Sequence, residues 1–177
     1  GSFETGSLSV GTGGREKDLS YAFSAVYLDT NGYRNNSDME AEDLGVKLKY
    51  DVNDYTLFNL SSGFHRDKAG IPGTLQRSDL EAGMHRTSTK TPDDYNEVED
   101  YYFFGGPEMY FWHDSVFRLN ASYRKRKSFG RFSIGGGYFE GDTEITTRGV
   151  SPQLVINHDF GGTGNTLTLG LDREDVV

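Results

Sequence analysis

The chain has 177 residues, enough for one domain or part of a larger one, and its formal charge of −9 argues against a nucleic-acid partner, which would require a basic surface. Cysteine is absent, which excludes disulfides and thiolate chemistry, and no run of about 18 apolar residues occurs, which excludes a transmembrane helix. Glycine (23 residues) and the aromatic residues (12 Phe, 11 Tyr, 1 Trp) are frequent, a composition that favours strands over helices.

Eight segments alternate between apolar and polar residues, the period of two that is typical of strands with one apolar face. In chain order these segments are residues 3–11, 19–27, 43–52, 55–65, 101–112, 116–124, 153–158 and 167–172. The first alternates weakly, and the fifth is mixed in period but rich in aromatic residues. The third is the clearest, because Leu44, Val46 and Leu48 are each followed by a glycine or a lysine. None of the eight segments is predicted to be helical.

The connections between these segments alternate in length. Short turns follow segments one, three, five and seven, whereas long polar links follow segments two (29–43), four (66–100) and six (to about residue 147). A transmembrane β-barrel has this rhythm, because its short turns lie at one rim and its long loops at the other, while lipid and lumen take alternate side chains. The sequence therefore predicts an all-β protein, an antiparallel transmembrane β-barrel with about eight strands in this chain.

Two stretches resemble barrel strands of TonB-dependent outer-membrane receptors. In the first, a strand ends in YLDTNGYRNNS (Tyr27–Ser37), an acidic loop follows, the next strand ends in a D-x-N-D turn, and another runs into IPG (Ile71–Gly73). The second stretch, SPQLVINHDFGGTGNTLTLGLD (Ser151–Asp172), is similar to a further hairpin of these barrels. These motifs mark rims and turns, and none of them identifies a ligand.

The resemblance implies that the chain is part of a larger barrel. Receptors of this family carry an N-terminal plug domain and a barrel of about 22 strands, whereas residues 1–177 contain no segment like a plug or a signal peptide. We therefore expect residues 1–177 to be one β-barrel segment, the first portion of a receptor barrel. A self-contained eight-stranded barrel with a structural or adhesion role is the alternative, since eight strands can close around their side chains. A soluble lipocalin-like binder is the second alternative.

The resemblance also implies a transport protein and not an enzyme. Such a receptor binds a metal chelate, for example a siderophore or cobalamin, and imports it across the outer membrane of a Gram-negative bacterium. Its expected partners are outer-membrane lipid and lipopolysaccharide, the small metal-chelate ligand, and the TonB complex, which it reaches through the plug region. No cofactor is expected, and no combination of base, acid and nucleophile predicts a catalytic site.

The sequence indicates metal sites only weakly. The four histidines, at positions 65, 85, 113 and 158, lack the spacing of zinc ligands. A run of carboxylates supplies enough oxygen atoms for a calcium site in a loop, although without the spacing of an EF-hand. The weak calcium candidates are Asp93, Asp94, Glu97, Glu99 and Asp100.

Four residues of the long links are the predicted ligand contacts. Tyr33 and Tyr95 offer aromatic surface for stacking, and Arg34 and Arg66 offer guanidinium groups for carboxylates or catecholates. In addition, the basic run Arg124–Lys127 follows the apolar part of segment six. It predicts positive charge at the outer rim, where it would contact lipopolysaccharide phosphates or an anionic chelate.

Overall fold

The computed structural model describes residues 3–177, apart from the side chains of His113 and Phe160. These residues form one antiparallel sheet, in which neighbouring strands follow one another in chain order. Its elements are β1 (Gly6–Glu16), β2 (Leu19–Thr30), β3 (Met39–Asn53), β4 (Thr56–Gly70), α1 (Arg77–Glu81), β5 (Tyr95–Phe111), β6 (Ser115–Ile134), β7 (Gly137–Phe160), β8 (Thr163–Gly170) and β9 (Arg173–Val176). A 3₁₀ turn, Trp112–Asp114, joins β5 to β6.

The sheet is eight strands wide, because β9 continues β8. Both strands pair with β7 in one register, from Phe160↔Thr163 to Thr147↔Val176. Pro152 of β7 lies at the interruption: its carbonyl accepts a hydrogen bond from the Leu171 N–H (3.1 Å), but proline has no N–H to return the bond. The prediction of about eight strands is therefore confirmed.

The strands extend further toward the long connections than predicted. β4 runs to Gly70 and β5 begins at Tyr95, so the connection between them is residues 71–94. The predicted long link after segment six is wrong, since β6 and β7 continue as a ladder to a two-residue turn, Gly135-Gly136. Both glycines have positive φ (56° and 91°), as this tight hairpin turn requires. Backbone hydrogen bonds between β6 and β7 do not require apolar side chains. The polar residues at the ends of these two strands therefore gave the sequence pattern of a loop although they form a ladder.

Alternate residues of each strand form two faces, and one of them, the apolar face, is largely uncovered by protein. Its members include Leu8, Val10, Phe23, Leu44, Val46, Leu48, Phe58, Leu60, Phe103, Leu119, Leu154, Leu167 and Leu169. Leu44 is 54% exposed and Leu169 is 53% exposed. The opposite face, the polar face, carries small and polar residues such as Gly45, Ser61 and Ser122. An apolar surface this extensive requires lipid or another partner.

The apolar face is bounded by a line that slopes across the sheet. The row of paired residues that begins at Leu44 passes through Phe64 and Tyr101 and reaches Lys125 and Thr146. The same row is therefore apolar in β3 and β4 but polar in β6 and β7. Strands that tilt relative to a membrane produce this shift, because a row perpendicular to tilted strands changes depth from strand to strand.

The sheet is open at both sides. β1 and β8 are its edge strands, and no ladder joins them in the described part of the chain. An edge strand presents unpaired N–H and C=O groups, which can form hydrogen bonds with a further strand. The described residues thus form an open sheet and not a closed eight-stranded barrel.

Between residues 3 and 177 there is no helix with the length and hydrophobicity needed to cross a membrane.

Candidate functional site

The connections 31–38 and 71–94 lie at the same end of the sheet, which we call the loop end, and Arg34 joins them. The Arg34 side chain donates hydrogen bonds to the carbonyl oxygens of Pro72 (3.0 Å), Gly73 (2.5 Å) and Ser88 (2.8 Å from Nη2). A planar guanidinium with five donors can satisfy several carbonyls at once. Arg34 therefore fixes both ends of the connection 71–94 against the shorter one.

Asn36 makes a second junction between the same connections. Its side-chain Nδ2 lies within hydrogen-bonding distance of the carbonyl oxygens of Ile71 (3.2 Å), Thr91 (2.6 Å) and Asp94 (2.8 Å). Asn36 has a φ of 59°, a left-handed conformation that asparagine adopts more readily than most residues. Gly70 leaves room for it, since a Cβ on Gly70 would lie 2.6 Å from the Asn36 Oδ1. Together we call Arg34, Asn36 and their carbonyl partners the loop lock.

The β6–β7 hairpin adds a third element to the loop end. Asp94 is only 4% exposed, and its Oδ1 accepts hydrogen bonds from the Ser133 N–H (2.8 Å) and Oγ (2.5 Å). Next to it, the Tyr138 hydroxyl donates to Asp93 Oδ2 (3.0 Å), and this hydrogen bond to a carboxylate raises the pKa of Tyr138. The Arg131 guanidinium lies 3.9 Å from the centroid of the Tyr138 ring. The loop end is therefore one connected body.

Within the connection 71–94, the start of α1 is held by ionic contacts. Lys90 Nζ lies 2.9 Å from both carboxylate oxygens of Asp79, and the Gln76 N–H donates to Asp79 Oδ2 at 2.7 Å. The hydrogen bond from Lys90, followed by that from Gln76, lowers the pKa of Asp79. This carboxylate therefore stays ionised while the helix is formed.

The four predicted ligand contacts do not converge. Tyr33 is 53% exposed and makes an edge contact with Phe3 (ring centroids 5.6 Å apart), so it is available to a ligand. Arg34 is engaged in the loop lock. Arg66 and Tyr95 lie on the same side of the sheet as the apolar face, where Arg66 Nη2 contacts Glu97 Oε1 at 2.7 Å.

The five calcium candidates also stay apart. Because residues of a strand alternate between faces, Glu97 and Glu99 lie on one side of β5 and Asp100 on the other. Their partners are Tyr138 for Asp93, Ser133 for Asp94, Arg66 for Glu97 and Glu99, and Arg124 for Asp100. Among the side chains that the structure describes, which do not include that of His113, no group of three or more His, Asp or Glu is arranged to hold a metal ion.

Below the loops, the polar face carries a cluster of charged residues that is not among the sites predicted from the sequence. His65 lies between two carboxylates: its Nδ1 is 2.7 Å from Asp43 Oδ1, and its Nε2 is 2.9 Å from Asp67 Oδ1. On the neighbouring strands, Asp100 pairs with Arg124, whose Nε is 2.9 Å from Oδ1. His65 and Asp67 are two residues apart, so strand periodicity alone could have placed them together on one face.

The solved structures that this chain resembles include transporters and receptors named for iron chelates. The ferric citrate transporter FecA in its unliganded form matches with a TM-score of 0.88 and 18% identity, over 97% of this chain and 26% of that chain. The ferripyoverdine receptor of the outer membrane of Pseudomonas aeruginosa matches with a TM-score of 0.78 and 11% identity, over 99% of this chain and 26% of that chain. The ferric-catecholate import receptor Fiu from E. coli K12, in its open form, matches with a TM-score of 0.72 and 11% identity, over 97% and 32%.

The chain has the barrel fold of TonB-dependent receptors. It spans only about a quarter to a third of the length of the receptor chains that it matches. No family model and no curated protein matches the sequence. The predicted fold class, an antiparallel transmembrane β-barrel, is confirmed.

In a TonB-dependent receptor barrel the apolar face contacts lipid and the polar face lines the lumen. This orientation corrects the single basic rim predicted for Arg124–Lys127. Arg124 and Arg126 belong to the polar face, whereas Lys125 and Lys127 lie on the lipid side. The His65 cluster, Asp100 and these two arginines therefore lie together on the polar face, directly below the loop lock.

Proposed function

We propose that this chain is part of the barrel wall of a TonB-dependent outer-membrane receptor, which binds and imports a metal chelate such as a siderophore or cobalamin in a Gram-negative bacterium. The observation that carries the proposal is the agreement with FecA over 97% of the chain at a TM-score of 0.88. FecA, Fiu and the ferripyoverdine receptor are each named for an iron chelate.

The open sheet supports this proposal over its two alternatives. A self-contained outer-membrane barrel and a soluble lipocalin-like binder both require the first and last strands to pair, because a barrel has no free edge. In residues 3–177 no such ladder is present. A wall segment of a larger barrel needs none, since further strands of the parent protein would pair with β1 and β8.

The proposal assigns different tasks to the parts of the chain. The loop end meets the ligand, with Tyr33 as an exposed contact and Arg34 as a positioning residue for the loops. Below it, His65 and Arg126 on the lumen wall meet a chelate that passes inward. The wall catalyses no reaction; transport requires a plug and the TonB complex, which other parts of the parent protein engage. Outer-membrane lipid and lipopolysaccharide surround the apolar face.

The test uses the full parent protein in its own cells. Uptake of ⁵⁵Fe supplied as ferric citrate, ferripyoverdine or a ferric catecholate, and of cobalamin labelled with ⁵⁷Co, is measured in cells that carry the parent gene, in cells that lack it, and in cells without a functional TonB complex. We expect uptake of one chelate to require both the parent protein and TonB.

Two outcomes would overturn the proposal. The first is uptake of every chelate, cobalamin included, that is unchanged by loss of the parent gene. The second is an intact mass near 19.7 kDa for the native protein purified from outer membranes, which would leave no room for a larger barrel.

A further inference from the structure

The His65 side chain is held on the polar face by two carboxylates on opposite sides of its ring. Nδ1 lies 2.7 Å from Oδ1 of Asp43, across the pair of strands β3 and β4, and Nε2 lies 2.9 Å from Oδ1 of Asp67, two residues further along β4. An ionised carboxylate only accepts hydrogen bonds, so each ring nitrogen must carry a proton to bond its partner. Only the imidazolium form of His65 therefore satisfies this geometry.

Loss of one proton from His65 breaks one of these two hydrogen bonds. A neutral imidazole donates from a single nitrogen, and the lone pair of the other nitrogen then faces a carboxylate. Exposure decides which bond breaks, since the side chain of Asp43 is 55% exposed and that of Asp67 only 18%. Leaving a carboxylate without its donor costs less where water can replace the donor. The remaining proton therefore stays on Nε2, toward Asp67, and Asp43 turns to solvent.

Six ionisable side chains share this part of the polar face, on β3 to β6: Asp43, His65, Asp67, Asp100, Arg124 and Arg126. Asp100 lies opposite His65 in the register of β4 and β5, and its Oδ1 accepts a hydrogen bond from Arg124 Nε at 2.9 Å. On the far side of Asp43, β2 supplies Val26, which carries no charge. With His65 protonated, three cations balance three carboxylates. Without that proton, three carboxylates face two cations.

We propose that His65 is a proton-dependent switch on the polar face. When protonated, its ring ties Asp43 of β3 to β4, and this part of the face is neutral. When the ring loses a proton, it keeps Asp67 and releases Asp43, and the face becomes negative. This inference rests on the proposed function for its location: there the polar face lines the lumen, so the charge of the lumen wall depends on the pH outside the cell.

The test follows the protonation of His65 directly by NMR. The purified parent protein, labelled with ¹⁵N-histidine and kept in detergent micelles, is titrated between about pH 5 and 9, the range in which imidazole groups of proteins change charge. The ¹⁵N shifts of the ring show which nitrogens carry protons, and the spectrum of His65→Gln identifies the signals of His65. We expect protons on both nitrogens at the acidic end of the range and on Nε2 alone at the basic end.

Removal of either carboxylate should move this titration. Asp43→Asn and Asp67→Asn each take away a negative charge beside the imidazolium, so we expect the midpoint to move to lower pH by about one unit in each variant. The matched control is Asp51→Asn, which removes the same charge from the same face of β3. Asp51 contacts Arg15 at 2.8 Å and not His65, so the midpoint should stay unchanged. Circular dichroism checks that each variant keeps its strands.

Three outcomes would overturn the proposal. They are a single charge state of His65 across the whole range, a neutral ring protonated on Nδ1, and a shift of equal size in Asp51→Asn. The titration needs neither ligand nor transport. A failed switch therefore leaves the proposed function intact, whereas absence of chelate uptake would count against the proposed function and leave the switch standing.

Discussion

Two regions at the loop end, the connection 71–94 and the β6–β7 hairpin, have similar compositions but different supports. Both are rich in polar residues and contain glycine, and the sequence predicts both as loops. The hairpin is held by its own backbone ladder, from Ala121↔Val150 to Ile134↔Gly137. The connection 71–94 is held by side chains of another connection, Arg34 and Asn36, which are 54 and 55 positions away from Ser88 and Thr91.

The difference shows that two neighbouring parts of the loop end can be stabilised in different ways and can therefore open independently. A ladder spreads its stability over many equal hydrogen bonds, so one substitution changes it little. A lock that depends on two side chains concentrates its stability, so one substitution opens a whole connection. Segments of low local stability are the ones from which mobile binding loops are drawn. The comparison therefore predicts that 71–94 and the hairpin respond to different substitutions.

The largest effect is expected for Asn36→Gly. Glycine keeps the left-handed backbone of position 36 but removes the amide that reaches three carbonyl oxygens. We expect the free energy of opening residues 71–94 to fall by about 2 kcal/mol, because the carbonyl oxygens of Ile71, Thr91 and Asp94 lose their hydrogen-bond donor. Hydrogen exchange followed by mass spectrometry measures this. Exchange in the β6–β7 hairpin should stay unchanged; equal acceleration in both regions would contradict a local lock.

A smaller effect is expected for Arg34→Lys. The substitution keeps the charge, but one ammonium group cannot reach the carbonyls of Pro72, Gly73 and Ser88 together. We expect exchange protection in 71–94 to fall by about 1 to 2 kcal/mol. The result also distinguishes two roles of Arg34. If Arg34 only bound an anionic ligand through its charge, lysine would leave the exchange protection of residues 71–94 unchanged in the absence of ligand. If Arg34 positions the connection, that protection falls.

The hairpin should respond instead to Gly136→Ala. Gly136 has a φ of 91°, and a Cβ there meets nothing within 4 Å, so the cost is conformational and not steric crowding. We expect about 1 kcal/mol of local destabilisation, limited to the tip of β6 and β7. Amide exchange of residues 133–138 measures it. Loss of protection in 71–94 of the same size would show that the two regions are not separately supported.

The smallest effect is expected on acidification of the connection 71–94. The pKa of Asp79 in the folded chain is lowered by the hydrogen bond from Lys90 and then by that from Gln76. Its stabilising contribution is therefore present above the unfolded pKa and is lost as the pH falls through the folded pKa. Protection factors of α1, corrected for intrinsic exchange, should fall in that range. In Asp79→Asn this pH dependence should be absent, and its persistence would assign the effect to another carboxylate.

Much of the fold could be predicted because strand signals are local. The alternation of Leu44, Val46 and Leu48 with small or charged residues appears directly as two faces of β3. The same periodicity applies to Arg124–Lys127, where it separates two arginines on the polar face from two lysines on the side of the apolar face. In contrast, the ends of β6 and β7 could not be predicted from alternation. Backbone hydrogen bonds form a ladder there although the side chains do not alternate between apolar and polar.

The candidate site was less predictable, because its contacts join distant parts of the chain. Tyr33 was identified from its position in a polar link, and the structure leaves it exposed. Arg34 was identified by the same argument, yet its donors are directed to carbonyls 38 to 54 positions away. No feature of the residues around Arg34 or Asn36 shows which carbonyls lie opposite them.

The sequence by itself determined the class of this protein: antiparallel strands with one apolar face, with short turns at one end of the sheet and two long connections at the other. The physical reason is that side chains alternate along any strand, so periodicity is visible before folding. Tertiary structure alone decided the open edges of the sheet, the loop lock and the position of His65 between Asp43 and Asp67. Each of these features depends on contacts between residues far apart in the chain. Such contacts are fixed by the strand register and by the packing of the connections, and both exist only once the whole sheet has formed.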